Sequence, residues 1–250
     1  MNDIYIEERI PGCIHEVFAS IQGEGLCCGQ RHTFVRLAGC NLTCNYCDTP
    51  QARQPDPPVC RMHTTPGSAD FEELPNPVSS KTIVSACHKL GSEVVSITGG
   101  EPLTQPEFAA QLMRGLQDAG FSTYLETNGT LYDALPAVVQ YADVIAMDIK
   151  LPSSSGIADA WDAHARFLET ASYTEVFVKT VVCAQTTVEE MRQCVDLIAE
   201  VDPRISLVIQ PATGLAPVPG DLLLRLQDLA LERLMDVRVI PQCHKIMGLL

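Results

Sequence analysis

From residue 13 onward, apolar runs of strand length alternate with stretches whose apolar residues recur every three or four positions. That alternation narrows the available folds more than any other feature, because repeated strand-helix units bury their strands between helices as a mostly parallel α/β sheet. Strands are predicted at 13–19, 32–38, 93–98, 122–126, 143–148, 175–182, 205–210 and 236–240. Three helices have readable faces: Phe108, Leu112, Leu116 and Ala119 over 106–119, and Val188, Met191, Val195 and Ile198 over 187–200. Over 221–234, Leu222, Leu226, Leu229 and Arg233 flank a leucine-rich stripe. A chain of 250 residues, 46% of them hydrophobic, has the size of one barrel-type domain, taken as 1–250. Prolines at 55, 57, 58, 66, 75 and 77 break the pattern, so 51–80 reads as a long inserted loop. A shorter interruption at 151–156 follows a strand, where loops of such barrels build sites.

Cys40, Cys44 and Cys47 lie in the run Gly39-Cys-Asn-Leu-Thr-Cys-Asn-Tyr-Cys-Asp48. Three thiolates at this spacing can hold three irons of a four-iron, four-sulfur cluster and leave the fourth iron open to a substrate or cofactor. A non-enzymatic zinc protein is the competing reading. It wants four closed ligands, and the further thiols nearby are Cys27, Cys28 and Cys60. Eleven cysteines suit a reducing compartment, where they ligate metals or pack as small apolar groups, as expected of Cys87, Cys183 and Cys194. The acidic N-terminus and the lack of any 18-residue apolar stretch point to a cytoplasmic protein without a membrane partner. Seventeen basic against 31 acidic residues leave a net charge of −14, which argues against nucleic acid and permits a small-molecule substrate.

The ends of the predicted strands collect unusual residues. Gly99, Gly100, Glu101 and Pro102 follow one; Glu126, Thr127, Asn128 and Gly129 the next; then come Asp148 with Lys150, and Gln210 with Pro211. Each alone is ordinary turn chemistry, but four in series fit a barrel whose site sits on that rim. Gly99 and Gly100 would let backbone groups approach a ligand closely.

The cysteine spacing, followed by Gly-Gly-Glu-Pro at 99–102, resembles the radical S-adenosylmethionine (SAM) superfamily, which implies a partial (βα)6-type radical SAM barrel with a mostly parallel sheet. The resemblance narrows over Phe18-Ala-Ser-Ile-Gln-Gly-Glu-Gly25, Phe34-Val-Arg-Leu-Ala-Gly-Cys40, Cys47-Asp-Thr49, Ile97-Thr-Gly-Gly-Glu-Pro102, Glu126-Thr-Asn-Gly-Thr130, Asp148-Ile-Lys150, Gln210-Pro211 and Val239-Ile-Pro-Gln-Cys-His-Lys245. Together these are similar to the 7-carboxy-7-deazaguanine synthase family from about residue 13 to the last, with 51–80 uncovered. That family is a radical SAM lyase of queuosine and deazapurine biosynthesis. It converts 6-carboxy-5,6,7,8-tetrahydropterin to 7-carboxy-7-deazaguanine with loss of ammonia, and its 5'-deoxyadenosyl radical takes hydrogen from C6 before SAM is reformed. The resemblance also implies Mg²⁺, a flavodoxin-like electron donor and a homodimer.

Residue by residue, the resemblance implies that Cys40, Cys44 and Cys47 carry the 4Fe-4S cluster and Thr49 the Mg²⁺. Substrate contacts fall on Ile21, Gln22, Gly23, Arg36, Thr98 and the last residue, Leu250, with Glu24 and His244 joined to them. Cofactor contacts fall on Tyr46, Cys47, Asp48, Gly99, Gly100 and Glu101, on Asp148, Ile149 and Lys150, and on Gln210, Pro211, Ala212 and Thr213. Glu126 is the candidate for the ribose diol. Independent chemistry favours Arg36, which can clamp a carboxylate, and Gln22, which offers a donor and an acceptor to a pterin edge. His15, His32, His63, His88 and His164 lack motif context and read as structural or exposed. Cys243 stands where the family often has threonine. A glycyl-radical-activating enzyme would share cluster and barrel but would lack a pocket built from Gln22, Arg36 and the chain end.

Overall fold

Each apolar run of the sequence becomes a strand, and the hydrophobic alternation sets which face each strand turns to the helices. The computed structural model of the chain describes residues 10–68, 70–158 and 160–249. In chain order its elements are β1 (Ile14–Ile21), β2 (Arg31–Leu37), β3 (Val59–His63), β4 (Phe71–Pro75), α1 (Ser80–Leu90), β5 (Val94–Gly99), α2 (Pro106–Asp118), β6 (Ser122–Thr127), β7 (Val144–Ile149), α3 (Pro152–Ser155), α4 (Trp161–Ala171), β8 (Glu175–Val182), α5 (Val188–Val201), β9 (Leu207–Pro211), α6 (Gly220–Leu231), β10 (Val237–Val239) and α7 (Cys243–Ile246). Among the described residues one sheet runs in the order β10-β9-β8-β7-β6-β5-β2-β1-β3-β4. From β2 through β5 to β10 every neighbour is parallel; β1 runs antiparallel to β2, and β4 antiparallel to β3. Among the described residues β10 and β4 end the sheet without pairing to each other, as in a partial barrel.

The segment 51–80 is not the long loop expected. It holds a 3-10 turn at Pro50–Arg53 and the strands β3 and β4. Prolines 55, 57 and 58 precede β3, and Pro75 ends β4, an edge strand whose missing N–H interrupts no central ladder. Asn76 staples the segment to β1: its Nδ2 donates to the carbonyls of Ile14 (2.9 Å) and Pro57 (3.0 Å), and its Oδ1 accepts from Ile14 N–H (3.1 Å). The interruption at 151–156 is likewise a helical turn, α3. Helices α1 and α4 lie outside the three predicted, and α6 stops at Leu231, short of 234.

The main core lies between the outer face of the sheet and the helices, where Phe108, Leu112 and Leu116 of α2 and Met191, Val195 and Ile198 of α5 are buried as their spacing predicts. Cys87 and Cys194 are buried with them, and Cys183 is buried beside Ser153 and Thr186. A smaller cluster fills the inner face: Tyr124, Ala146, Phe177 and Val208, covered by Leu26 and Cys27 from the turn between β1 and β2. The concave side is therefore apolar where that turn packs and polar at the ends of the parallel strands.

Candidate active site

The cysteine-bearing loop begins where β2 ends, and one residue ties it to its neighbours. Gly39 N–H donates to the Ala52 carbonyl (2.8 Å), and the Gly39 carbonyl accepts from Glu101 N–H (2.8 Å). A Cβ on Gly100 would come within 2.2 Å of the Gly39 oxygen, and one on Gly99 within 2.3 Å of the Leu37 oxygen. Glycine is thus demanded at 99 by close packing on the end of β2 and at 100 by close packing on the loop that carries Cys40, besides any approach to a ligand. Asn45 N–H donates to Ser155 O (2.8 Å), so α3 supports the same loop from the other side.

Cys40, Cys44 and Cys47 are free thiols lining one cavity. Burial pushes the Cys40 and Cys44 thiols up; at Cys40 the Leu42 N–H bond offsets part of this, and at Cys44 the nearby Lys150 does. Cys27, Cys28 and Cys60 do not line that cavity, so the fourth thiol a closed zinc site needs is not supplied by them. Three thiols with no fourth suit a cluster with an open iron.

Nearly all the predicted residues meet in this cavity: Ile21, Gln22, Gly23, Glu24, Arg36, Thr98 and His244 on one side, and Tyr46, Asp48, Thr49, Gly99, Gly100, Glu101, Glu126, Asp148, Lys150, Gln210, Ala212 and Thr213 with the cysteines. Ile149 and Pro211 do not line it. Strand alternation turns Asp148 and Gln210 inward, and Ile149 packs in the helix-side core while its carbonyl accepts from Thr180 Oγ1 (2.9 Å). Leu250 lies outside the described residues.

Carboxylates and cations interlock across the cavity. Glu126 was expected beside a ribose, yet its oxygens accept from Gln22 Nε2 and Thr98 Oγ1, each at 2.8 Å, which groups it with residues expected at the substrate. Burial raises the Glu126 carboxyl, the Glu24 charge adds to this, and Lys179 and the two donors oppose it. Glu24 accepts from Lys179 and from Gln242 Nε2 (2.6 Å). Asp148 takes Lys150 at 2.8 Å and Lys179 at 3.3 Å. Glu101, fully buried, accepts from Leu103 N–H (3.0 Å), Thr127 Oγ1 (2.9 Å) and Asn128 N–H (2.7 Å); it braces the two strand-end turns against each other, leaving its oxygens engaged inside the fold. Arg36 bonds Glu16 at 2.9 Å. Thr49 Oγ1 donates to Asp48 Oδ1 (3.0 Å), and ligand atoms of Asp48, Glu24 and His244 lie within 4.8 Å of one another.

Several polar atoms on the residues around this space have no partner. Among the described residues, buried side-chain atoms lacking any hydrogen bond include Tyr46 OH, Arg53 Nε, Asp148 Oδ1 and Gln210 Oε1, all on cavity-lining residues. Groups like these carry a desolvation cost that a polar ligand removes. Sequence reasoning missed Arg53, Lys179, Phe177 and Gln242 as lining residues. Lys179 had a signal, a lysine inside the apolar strand run of β8, and Gln242 sat within a motif already noted. Arg53 lay in the stretch read as loop. His32 and His164, expected to be structural or exposed, are fully buried.

Residues 35–203 match the Radical SAM superfamily. A 7-carboxy-7-deazaguanine synthase of Geobacter sulfurreducens is 42% identical over 251 residues, spanning 95% of this chain and 98% of that one. One of Methanopyrus kandleri is 37% identical over 242 residues, spanning 93% and 92%. Among solved structures, QueE from Escherichia coli superposes with a TM-score of 0.64 over 98% of this chain and 99% of that chain, at 20% identity. TYW1 with a lysine-pyruvate adduct bound gives 0.56 at 13% identity, over 81% and 74%. At these identities the two structures share the fold with this chain.

Proposed function

Since the chain belongs to the 7-carboxy-7-deazaguanine synthase family of the radical SAM superfamily, we propose how its cavity divides the work of that lyase among named residues. The reaction is the ring contraction of 6-carboxy-5,6,7,8-tetrahydropterin to 7-carboxy-7-deazaguanine with loss of ammonia. The observation that carries the assignment is convergence: three unpaired thiols, the Gly-Gly-Glu-Pro turn and the Pro-Gln-Cys-His-Lys segment line one cavity that also holds orphaned polar atoms. When bound, the cluster on Cys40, Cys44 and Cys47 with SAM supplies a 5'-deoxyadenosyl radical.

The chain's own residues bind, orient and hold charge. Gln22, Glu126 and Thr98 form a preset hydrogen-bonded row for the pterin's polar edge, with Glu24 and His244 at the same end. Arg36, braced by Glu16, faces the substrate with its remaining guanidinium donors. Asp148, Lys150 and Gln210 serve the cofactor; Asp148 Oδ1 and Gln210 Oε1 are acceptors awaiting donors. Lys150 Nζ lies 5.2 Å from the centroid of the Tyr46 ring, which ties the residue after β7 to the cysteine loop. The hydroxyl of Thr49 and the carboxylate of Asp48 are hard oxygen donors of the kind Mg²⁺ takes, and we assign the ion to them. A flavodoxin-like reductant and a homodimer complete the reading. Among the described residues no helix is long and apolar enough to cross a membrane.

Anaerobic turnover of the reconstituted protein with carboxytetrahydropterin, SAM, a chemical reductant and Mg²⁺ tests this reading. Carboxydeazaguanine and ammonia are expected in equal amounts. SAM cleavage without consumption of the pterin would overturn it.

A further inference from the structure

We propose that Arg53 receives the carboxylate of a bound ligand, an inference that rests on the reading of the cavity as the site for SAM and the carboxypterin. Among the described residues the cavity is lined by the cations Arg36, Arg53, Lys150 and Lys179. Three of them are already engaged: Arg36 with Glu16 at 2.9 Å, Lys150 with Asp148 at 2.8 Å, and Lys179 with Glu24 and Asp148. Arg53 has no hydrogen bond or ion pair among the described residues, and its Nε is buried with no acceptor. Arg53 as a whole is half-buried; what is held out of water without an acceptor is its Nε–H, and a ligand oxygen would supply the missing partner.

Its position is fixed by the fold. The turn Pro50–Arg53 is pinned by Ala52, fully buried, whose N–H donates to Thr49 O (3.0 Å) and whose carbonyl accepts from Gly39 N–H (2.8 Å). Gly39 in turn accepts from Glu101 N–H. Arg53 therefore follows an anchored residue joined through a short backbone ladder both to the cysteine loop and to the Gly99–Gly100 turn. A planar fork of donors held there matches a carboxylate better than any neutral ligand group. Two carboxylates enter the cavity on the present reading, that of the methionyl part of SAM and that on C6 of the pterin. They share this chemistry, and the test separates them.

The experiment compares wild type, R53Q and R53K as anaerobically reconstituted enzyme. Iron content is measured first, then equilibrium binding of SAM and of the carboxypterin, each beside the same ligand lacking its carboxylate, namely decarboxylated SAM and unsubstituted tetrahydropterin. R53Q should keep its iron and bind one of the two carboxylate ligands at least tenfold more weakly, with less than a twofold change for that ligand's decarboxylated form; R53K should fall between. The ligand that shows the loss identifies the carboxylate held. Unchanged binding of both ligands by R53Q, or an equal loss with the decarboxylated form, overturns the proposal while the wild type still binds and turns over. Wild-type protein that binds neither ligand would remove the underlying reading and Arg53's role with it.

Discussion

Lys179, within β8, is ion-paired to Glu24 in the turn between β1 and β2, and Gln242, just before α7, holds the other carboxylate oxygen at 2.6 Å. Three distant parts of the chain thus meet on one carboxylate. Burial pushes the Glu24 carboxyl up, but the charge and hydrogen bond of Lys179, with help from Gln242, outweigh this and hold it down to about 2. Burial alone would lower Lys179; Glu24 and Asp148 instead raise it. A carboxyl depressed in the fold contributes stability that is present above its unfolded value and lost as pH falls through its folded one.

Replacing Lys179 with methionine strands Glu24 and removes one partner of Asp148. Breaking one side of a partly buried pair should cost about 3 kcal/mol in urea unfolding, and E24Q in the same chain should restore part of it. A change under about 0.5 kcal/mol would show that the pair is solvated.

Cys40→Ala, Cys44→Ala and Cys47→Ala should each lose most of their bound iron and all SAM cleavage. Cys87→Ala, in the helix-side core, should cost about 1 kcal/mol and keep its iron. Iron analysis of the four proteins decides this, and full iron in Cys44→Ala would remove that residue from the cluster.

The strands were legible because their apolar runs are set off by turn residues, and the site's inner rim was legible because strand ends gather polar residues there. β3 and β4 were not. They are five residues each, flanked by proline, and β4 is exposed along almost its whole length, so no apolar run announced them. Helix α4 buries His164, Phe167, Leu168 and Ala171, a stripe in which a histidine and an alanine stand where larger apolar groups would have shown the period. Arg53 was hidden for a related reason: its place depends on Ala52 reaching Gly39, a backbone contact that no side-chain pattern records.

His164 should make the fold acid-sensitive. Its Nε2 accepts from Lys150 N–H (3.3 Å) and its Nδ1 lies 3.1 Å from Gly129 O, so one neutral tautomer satisfies both. Burial lowers its pKa to about 4; the Gly129 bond and Asp148 oppose the shift and Lys150 adds to it. The unfolded chain therefore binds the proton first as pH falls. Stability is complete above about 6.5 and should drop by on the order of 3 kcal/mol between there and pH 4. Urea midpoints across that range in wild type and H164N measure it; His32, also lowered to about 4 by burial, adds a similar slope that H164N retains. An identical slope in both proteins would assign the acid sensitivity elsewhere.

Gly100→Ala should destabilise the protein by at least about 2 kcal/mol, since its Cβ would sit 2.2 Å from the Gly39 carbonyl oxygen and 2.8 Å from Cys40 Cβ. Because the displaced atoms belong to the cysteine loop, iron loading should fall as well. Thermal unfolding and iron content at full wild-type levels would show that the loop yields freely.

Chelation of Mg²⁺, or Thr49→Val, should slow pterin turnover more than tenfold while SAM binding changes less than about threefold. Steady-state rates and SAM titrations on the same preparations make the comparison, and equal losses in both would place the ion at the cofactor instead.

Cys243 N–H donates to Gly23 O at 2.9 Å, and a Cβ on Gly23 would lie 2.1 Å from His244 Nδ1. That wall of the cavity thus joins the turn after β1 to α7, segments separated in sequence by the whole parallel sheet. A shift of register in any strand between them would move Gly23 away from His244, so this one contact reports on the alignment of the whole sheet.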